Sequence, residues 1–308
     1  MEPVNVALVL SGGGARGCAH IGVIRILEQS GFRISSVAGT SMGALIGGIY
    51  AAGGMEKFSG WISSLDRMEI LKMTDITISS SGFVKGNKII DKMKEIIPDR
   101  NIEDLPIPYC AVATDIINKK EKLFCSGNLY DAIRASISIP TLFQPFYIGG
   151  NYYVDGGLVN QIPVNRVVRT AGDILVAVDV GSAIPVISAE YQSKPGTFQN
   201  DQVELKDNSF LVKHLRKIEK IQRKFNHMLI PGNKESIGIF NLSNRSIGIM
   251  MRRISDLMLD RYPPDILIQI SKESYSSYDF YKAQEIIKEG ERAALEAITR
   301  YNSGRIVQ

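Results

Sequence analysis

Apolar runs and amphipathic patterns alternate along the first fifty residues. Residues 4–10 are rich in valine and leucine, which is typical of a strand covered on both faces of a parallel sheet. A helix pattern over residues 18–30 ends at Gly31, and a second short apolar strand is predicted over 34–38. Small residues dominate 44–52, where a helix packed closely on the sheet is predicted. This order predicts an α/β fold with a mainly parallel sheet sandwiched between helices.

The remaining pattern extends the sheet and adds a largely helical C-terminal region. Strands are predicted at 109–115, 121–125, 172–181 and 265–270, with a short one before Asp155; helices are predicted at 56–66, 87–97, 130–138, 209–229, 241–259 and 279–301. The polar segment 74–82 is predicted to be a loop, and residues 183–208 a flexible connection. We therefore divide the chain into a core at 1–182 and a less regular part at 183–308 that packs on the same domain.

Composition adds limits on partners and location. The chain has 308 residues, of which 44% are hydrophobic and 22% charged, as in globular proteins with one sizeable core. A formal net charge of +4 is too small to predict nucleic acid as a partner, but it is compatible with an anionic membrane surface. The sequence shows neither a leader peptide nor a run of about 18 uncharged apolar residues. A cytoplasmic protein, with peripheral membrane contact at most, is expected.

The three cysteines, Cys18, Cys110 and Cys125, are an odd number and show no C-x-x-C spacing. This pattern predicts free, buried thiols in a reducing compartment. No group of residues has the spacing of metal ligands, so we expect neither a metal nor another cofactor.

The segment Gly39-Thr40-Ser41-Met42-Gly43 joins the second predicted strand to the helix that follows it. A serine between glycines at such a junction is typical of a nucleophile elbow, a tight turn that holds the hydroxyl out at a helix N-terminus. Gly39 and Gly43 are expected there because the backbone is strained and neighbouring chain passes close by. The alternative is a glycine-rich helix start in which Ser41 is only a cap.

A second glycine-rich segment, Ser-Gly-Gly-Gly-Ala-Arg-Gly at residues 11–17, separates the first strand from the first helix. Its spacing also fits the dinucleotide fingerprint, but no acidic residue ends the second strand. A phosphate-binding loop would need Lys and Ser or Thr where Cys18 and Ala19 stand. We favour an oxyanion hole, in which backbone N–H groups face a carbonyl oxygen that becomes negative. Its residues would be Gly12, Gly13, Gly14, Ala15, Arg16 and Gly17.

Four motifs in this order resemble the bacterial branch of the patatin-like phospholipase family, over roughly residues 4–182. They are the loop at 12–17, the elbow at 39–43, Ala-Ser-Ile-Ser-Ile-Pro at 135–140, and segment 153–163, in which Asp155 precedes the turn glycines Gly156 and Gly157. The resemblance implies a serine lipid acyl hydrolase that acts on lipid esters such as phospholipids. Ser41 would be its nucleophile and Asp155 its base, without a catalytic histidine.

The chemistry of the residues agrees with this choice of base. A serine hydroxyl becomes a good nucleophile only when a base takes its proton. His20 is interpreted as a residue of the first helix face, and His214 and His227 as solvated residues of a basic helix. An aspartate at a strand end, followed by glycines that let a substrate approach, is the better candidate, although such an aspartate is often only a turn residue.

Several alternatives stay open on the sequence alone. The chain could be an α/β-hydrolase with a Ser–His–Asp triad using His214 or His227, a nucleotide-binding protein, or a non-catalytic scaffold on the same fold. Arg16 could support the loop or pair with a phosphate or carboxylate of the substrate. The basic amphipathic helix 209–229 could lie on an anionic membrane, pack on the core, or bind a partner helix.

Overall fold

The computed structural model describes residues 3–73, 75, 84–140, 142–186 and 239–306. Its strands are β1 Val4–Leu10, β2 Phe32–Thr40, β3 Tyr109–Asp115, β4 Lys120–Phe124, β5 Phe146–Ile148, β6 Asn151–Asp155, β7 Ile174–Ser182 and β8 Ile266–Ser271. Its α-helices are α1 Ala19–Gln29, α2 Met42–Ala51, α3 Met55–Ser64, α4 Arg67–Met73, α5 Asn87–Ile96, α6 Leu129–Ser136, α7 Ile239–Arg261 and α8 Ala283–Ile306. Short 3₁₀ turns lie at Gly14–Cys18, Ile102–Asp104, Gly156–Leu158 and Phe280–Lys282.

The chain divides into two compact units. The first comprises Met1–Ser193 and Met251–Gln308, and the second Lys194–Met250. Only residues 239–250 of the second unit, the first half of α7, are described. The first unit includes β8 and α8, and there β8 pairs with β7. The end of the chain is thus built into the same unit as the core.

A single eight-stranded sheet runs in the order β5-β6-β3-β2-β1-β7-β8, with β4 paired to β3. The strands β3, β2, β1, β7 and β8 pair with one another in parallel. The pairings of β4 with β3, β6 with β3 and β5 with β6 are antiparallel. The predicted mainly parallel α/β sheet is confirmed.

Each face of the sheet has its own apolar layer. Along β1, Val6, Leu8 and Leu10 join the larger cluster, which also contains residues of α1, α2 and α8. Ala7 and Val9 point the other way, into a smaller cluster that the C-terminal half of α7 also touches. Because β1 is covered on both sides, all five of these side chains are fully buried, which explains the continuous apolar run in the sequence.

The helices follow the prediction with small shifts at their ends, and α4 is an addition. The second predicted helix begins at Met42, two residues early, and α7 extends beyond the predicted 241–259 at both ends. Most of the predicted loop 74–82 and of the connection 183–208, and all of helix 209–229, lie outside the described residues. No helix in the described part of the chain is both long and apolar enough to span a bilayer.

The prediction of three free cysteines was wrong for two of them. Cys110 and Cys125 form a disulfide with an S–S distance of 1.97 Å. The hairpin of β3 and β4 pairs Ala111 with Phe124, so the two cysteines at the next position lie opposite each other, with Cα atoms 4.4 Å apart. Cys18 is free and buried, as predicted.

Candidate active site

Ser41 stands alone between two elements, because β2 ends at Thr40 and α2 begins at Met42. Its backbone has φ 54° and ψ −123°, a left-handed φ that costs a residue with a Cβ about 1–2 kcal/mol. Among the described non-glycine residues only Lys119 shares a positive φ. Strain of this kind persists where surrounding structure holds it, and it clusters at functional sites.

The glycines on either side of Ser41 let three segments approach closely. A Cβ at Gly39 would lie 2.4 Å from the carbonyl of Gly43, and one at Gly43 would lie 2.2 Å from the carbonyl oxygen of Leu10. Such distances are far below van der Waals contact. The turn at Ser41 therefore depends on both glycines, for the reason expected from the sequence.

The two predicted catalytic side chains are brought together by one strand. Two strands pair with the same edge of β3, one after the other. The pairing with β2 ends where Thr40 lies opposite Val112, and the pairing with β6 begins at the next residue, where Asp155 lies opposite Ala113. β2 and β6 run in opposite directions there, so their C-terminal ends meet head to head. Ser41 follows directly from the first of these ends, next to Asp155 at the second.

Asp155 is only 5% exposed. Burial raises the pKa of its carboxyl to about 6, while the nearby Ser41 hydroxyl and the Gly157 N–H act to lower that pKa. Oδ1 accepts a hydrogen bond from Gly157 N at 2.8 Å, and Oδ2 accepts none with good geometry. The hydroxyl thus faces the carboxylate without full alignment, and such bonds often tighten only when substrate is bound.

The glycine loop is fixed at both ends and leaves two N–H groups unused. Gly12 N donates to Gln161 O at 3.1 Å, and Ala15 N donates to Ser277 O at 2.9 Å. Among the described residues, the N–H groups of Gly13 and Gly14 have no hydrogen-bond acceptor. These two donors lie in the loop that is predicted from the sequence to be an oxyanion hole.

Tight packing excludes side chains from this loop. A Cβ at Gly13 would lie 2.3 Å from Cγ2 of Val180, and Gly14, at φ 59°, is equally crowded by Ser277. At the far end, a Cβ at Gly17 would lie 2.3 Å from Cγ of Met42, the first residue of α2. The loop therefore lies directly against the elbow.

Arg16 supports the loop. Its Nη1 donates to the carbonyl oxygens of Lys272 at 3.2 Å and Tyr275 at 3.1 Å, which ties the loop to the segment after β8. Burial lowers the pKa of the guanidinium, while Asp179, Glu273 and Asp279 raise it. Of the two uses expected for Arg16, these contacts favour support of the loop over contact with substrate.

His20 is completely buried on α1. Its Nε2 lies 2.8 Å from Ser11 O, and since a carbonyl can only accept, Nε2 carries the proton. Burial lowers the pKa of the imidazole to about 4, so the ring is neutral at physiological pH. His20 thus anchors the start of the glycine loop, whereas His214 and His227 lie outside the described residues.

Two supporting groups have roles that the sequence did not reveal. Ser136 Oγ accepts from Ser41 N at 2.8 Å and donates to Val112 O at 2.5 Å. Ser138 O accepts from Asp155 N at 2.9 Å. The end of α6 thus holds both sides of the pair. The only signal in the sequence was that both serines stand in the motif at 135–140, which assigns them no task.

Gln161 connects the two glycine turns. Its Nε2 donates to Gly12 O at 2.8 Å. A Cβ at Gly157 would come within 2.2 Å of its Oε1, and one at Gly156 would lie 2.2 Å from Val112 O. The glycines after Asp155 therefore allow close packing within the protein, whereas the sequence pattern predicts that they leave room for a substrate. No group of His, Cys, Asp and Glu in the described ranges could hold a metal ion.

Comparison with known proteins decides the family. The family model described as patatin-like phospholipase matches residues 8–168, more than half of the chain. The chain belongs to the patatin-like phospholipase family. The resemblance seen in the four motifs is confirmed, and membership makes the protein a carboxylic ester hydrolase of the phospholipase type.

Relatives match along different lengths. An uncharacterized NTE family protein of Mycobacterium tuberculosis is 33% identical over 335 aligned positions, which cover 96% of this chain and 92% of that protein. The lysophospholipase NTE1 of Yarrowia lipolytica is 38% identical over 185 positions, 58% of this chain and 13% of that protein. The lysophospholipase NTE1 of Saccharomyces cerevisiae is 35% identical over 194 positions, 60% and 11% respectively.

Proposed function

We propose that the protein releases fatty acids from phospholipid or lysophospholipid esters through a Ser41–Asp155 dyad. The observation that carries this proposal is the strained serine beside a buried aspartate whose pKa is about 6. A base is most effective when its pKa lies near the working pH. Asp155 is then ionised at neutral pH and still basic enough to take the hydroxyl proton.

The first half of the reaction forms an acyl-enzyme. Ser41 Oγ attacks the acyl carbonyl carbon, and its proton passes to the Asp155 carboxylate. The carbonyl oxygen becomes negative and accepts hydrogen bonds from the unused N–H groups of Gly13 and Gly14. The ester C–O bond then breaks, and protonated Asp155 returns the proton to the departing alcohol.

The second half releases the acid. Water attacks the acyl carbon of acylated Ser41 and gives its proton to Asp155. The same two N–H groups stabilise the second oxyanion, and the proton returns to Ser41 Oγ as the fatty acid leaves. This cycle needs no histidine, in keeping with the neutral, hydrogen-bonded state of His20.

The substrate class rests on the relatives. The lysophospholipases of two yeasts match 58% and 60% of this chain. Those enzymes are much longer, so their choice of head group does not carry over. We expect a single-chain or two-chain glycerophospholipid, with the ester position open to assay.

The test is intact-protein mass after exposure to a fluorophosphonate, with hydrolysis of a soluble short-chain ester measured in parallel. The parent chain should gain one adduct, Ser41→Ala none, and Asp155→Asn should react at least about 100-fold more slowly, as is typical when a general base is lost. Asp115→Asn is the matched control, because Asp115 is also buried on the neighbouring strand, and it should react like the parent. Full reactivity of Asp155→Asn would eliminate the dyad.

The pH profile gives an independent check. Because Asp155 must be ionised to act, kcat/KM should fall as the pH drops through about 6, following the pKa of the carboxyl. An unchanged rate down to about pH 4, the ordinary range of aspartate, would show that another group takes the proton.

A further inference from the structure

Two neighbouring hairpins expose a set of large apolar side chains at one end of the sheet. The turn at 116–119 joins β3 to β4, and β5 and β6 form the second hairpin. Four side chains, which we call the hairpin patch, are about half exposed: Ile116 at 49%, Ile117 at 59%, Tyr147 at 58% and Tyr152 at 46%.

The hairpin patch is continuous across three strands. Tyr147 pairs with Tyr152 in the β5–β6 register, and their ring centroids are 4.8 Å apart. Ile116 N donates to Tyr152 O at 3.1 Å, which extends the pairing of Asp115 with Tyr153 by one position. Residues directly opposite in antiparallel strands share a face. Ile116, Tyr152 and Tyr147 therefore form one row.

Several polar groups of the turn at 116–119 form hydrogen bonds within the protein. The Asp115 carboxylate accepts from Ile117 N at 3.1 Å, Asn118 N at 2.9 Å and Asn118 Nδ2 at 2.8 Å. Asn118 Nδ2 also donates to Asn151 Oδ1 at 3.1 Å, which links the two hairpins. The backbone N–H groups of Ile117 and Asn118 would therefore stay paired if this part of the turn left water.

Positive charge borders the same turn. Lys119 and Lys120 are exposed, and the adjacent acid, Glu121, is held in an ion pair with Arg166. Lys119 has φ 53°, a conformation that hairpin loops usually give to glycine or asparagine.

We propose that the hairpin patch, with Lys119 and Lys120, docks the protein on an anionic phospholipid bilayer. Tyrosines suit the membrane interface because their rings are apolar and their hydroxyls stay hydrated. The lysines would meet anionic head groups, which fits a bilayer better than an apolar protein partner. This inference rests on the proposed function in so far as the bilayer supplies the substrate.

The position of the patch fits that role. Tyr152 precedes Asp155 by three residues on β6, a distance of about 10 Å at the rise of a strand. Docking would thus bring the head-group layer to the start of β6, and Asp155 lies at the other end of this five-residue strand.

Vesicle binding tests the surface without catalysis. The Ser41→Ala chain is used as parent, so that no lipid is hydrolysed, and is sedimented with phosphatidylcholine vesicles with and without phosphatidylglycerol. Adding Tyr147→Ser and Tyr152→Ser together should lower partitioning at least ten-fold, equivalent to about 1.4 kcal/mol. Lys119→Gly should lower it about five-fold on the anionic vesicles alone. Lys119→Gly also relieves the unfavourable φ, so misfolding cannot explain its loss.

Leu295→Ser is the matched control, because Leu295 is 56% exposed on α8, which packs beside β8 at the other edge of the sheet. It should bind vesicles like the parent. Equal binding by the patch variants, equal loss with Leu295→Ser, or no binding by the parent would each overturn the proposal. With Ser41 intact, patch variants should keep the parent rate on a soluble ester. If the parent itself lacks that activity, the proposed function fails, and the vesicle result still decides the docking surface.

Discussion

Replacing Asp155, the proposed base, with asparagine should stabilise the fold. Burial raises the pKa of this carboxyl from 3.8 to about 6, a difference of about two units. Each unit is worth about 1.36 kcal/mol, so keeping the charged carboxylate buried costs about 3 kcal/mol of unfolding free energy at a pH above both values. Asp155→Asn removes that cost and keeps an oxygen for the Gly157 N–H.

The sign of the pH dependence makes this prediction specific. The folded chain holds the Asp155 proton more tightly than the unfolded chain, so its contribution to stability is full below about pH 4 and is lost as the pH rises through about 6. Asp155→Asn should therefore exceed the parent by about 3 kcal/mol near pH 8 and match it near pH 4.

Urea unfolding of both chains across this range measures the difference. Asp115→Asn is the matched control of opposite sign, because hydrogen bonds from Asn118 lower the pKa of Asp115 and its charged form stabilises the fold. It should lose stability at neutral pH and lose less in acid. A lower stability of Asp155→Asn than of the parent near pH 8 would refute the reasoning. It would mean that the hydrogen bonds to the carboxylate stabilise the fold by more than burial of its charge destabilises it.

Three further predictions follow from the contacts around the site. Ser136→Ala leaves the buried Ser41 N–H without its acceptor, so urea unfolding should show a free energy of unfolding about 1–3 kcal/mol lower. The variant should also have a lower kcat at similar KM, and Ser136→Thr should restore both properties. Normal kinetics of Ser136→Ala would show that Ser136 does not position the elbow. Gly43→Ala should prevent folding, because its Cβ would lie 2.2 Å from a backbone carbonyl oxygen. Gly60→Ala is the control: its Cβ would enter open space on α3, so the free energy of unfolding should rise by about 0.4–1 kcal/mol. Similar thermal melts of the two variants by circular dichroism would contradict this prediction. Reduction of the Cys110–Cys125 disulfide should lower the free energy of unfolding by up to about 3 kcal/mol for a loop of this size. Thiol titration of the unfolded protein should count one thiol before reduction and three after it. Three thiols before reduction would rule out the disulfide in solution.

The parts of the fold that could be predicted are those fixed by local pattern. β1 and β3 begin and end where the apolar runs predict, at Val4–Leu10 and Tyr109–Asp115, because strands buried on both faces leave no ambiguity in the sequence. Helix α4, Arg67–Met73, is short and lacked a clear apolar period. The disulfide was missed because it depends on the hairpin register, which places two cysteines opposite each other across fifteen residues.

The candidate site divides in the same way. The motifs pointed to Ser41, Asp155 and the glycine loop, and their catalytic roles stay predictions. The proximity of Ser41 and Asp155, by contrast, depends on β2 and β6 pairing with the same edge of β3. The order of strands in a sheet cannot be predicted from the sequence of any single segment. The division of the loop into used and unused N–H groups likewise follows from distant partners such as Gln161 and Ser277.

The head-to-head meeting of β2 and β6 also affects when activity can arise. Ser41 and Asp155 are more than a hundred residues apart in the chain, and contacts of such long range form slowly during folding. A growing or partly folded chain therefore contains Ser41 without Asp155 beside it. If Ser41 and Asp155 act as the proposed dyad, lipid hydrolysis begins only once β6 has joined the sheet. During refolding, recovery of ester hydrolysis should accordingly lag behind helix formation, and simultaneous recovery would argue against this order.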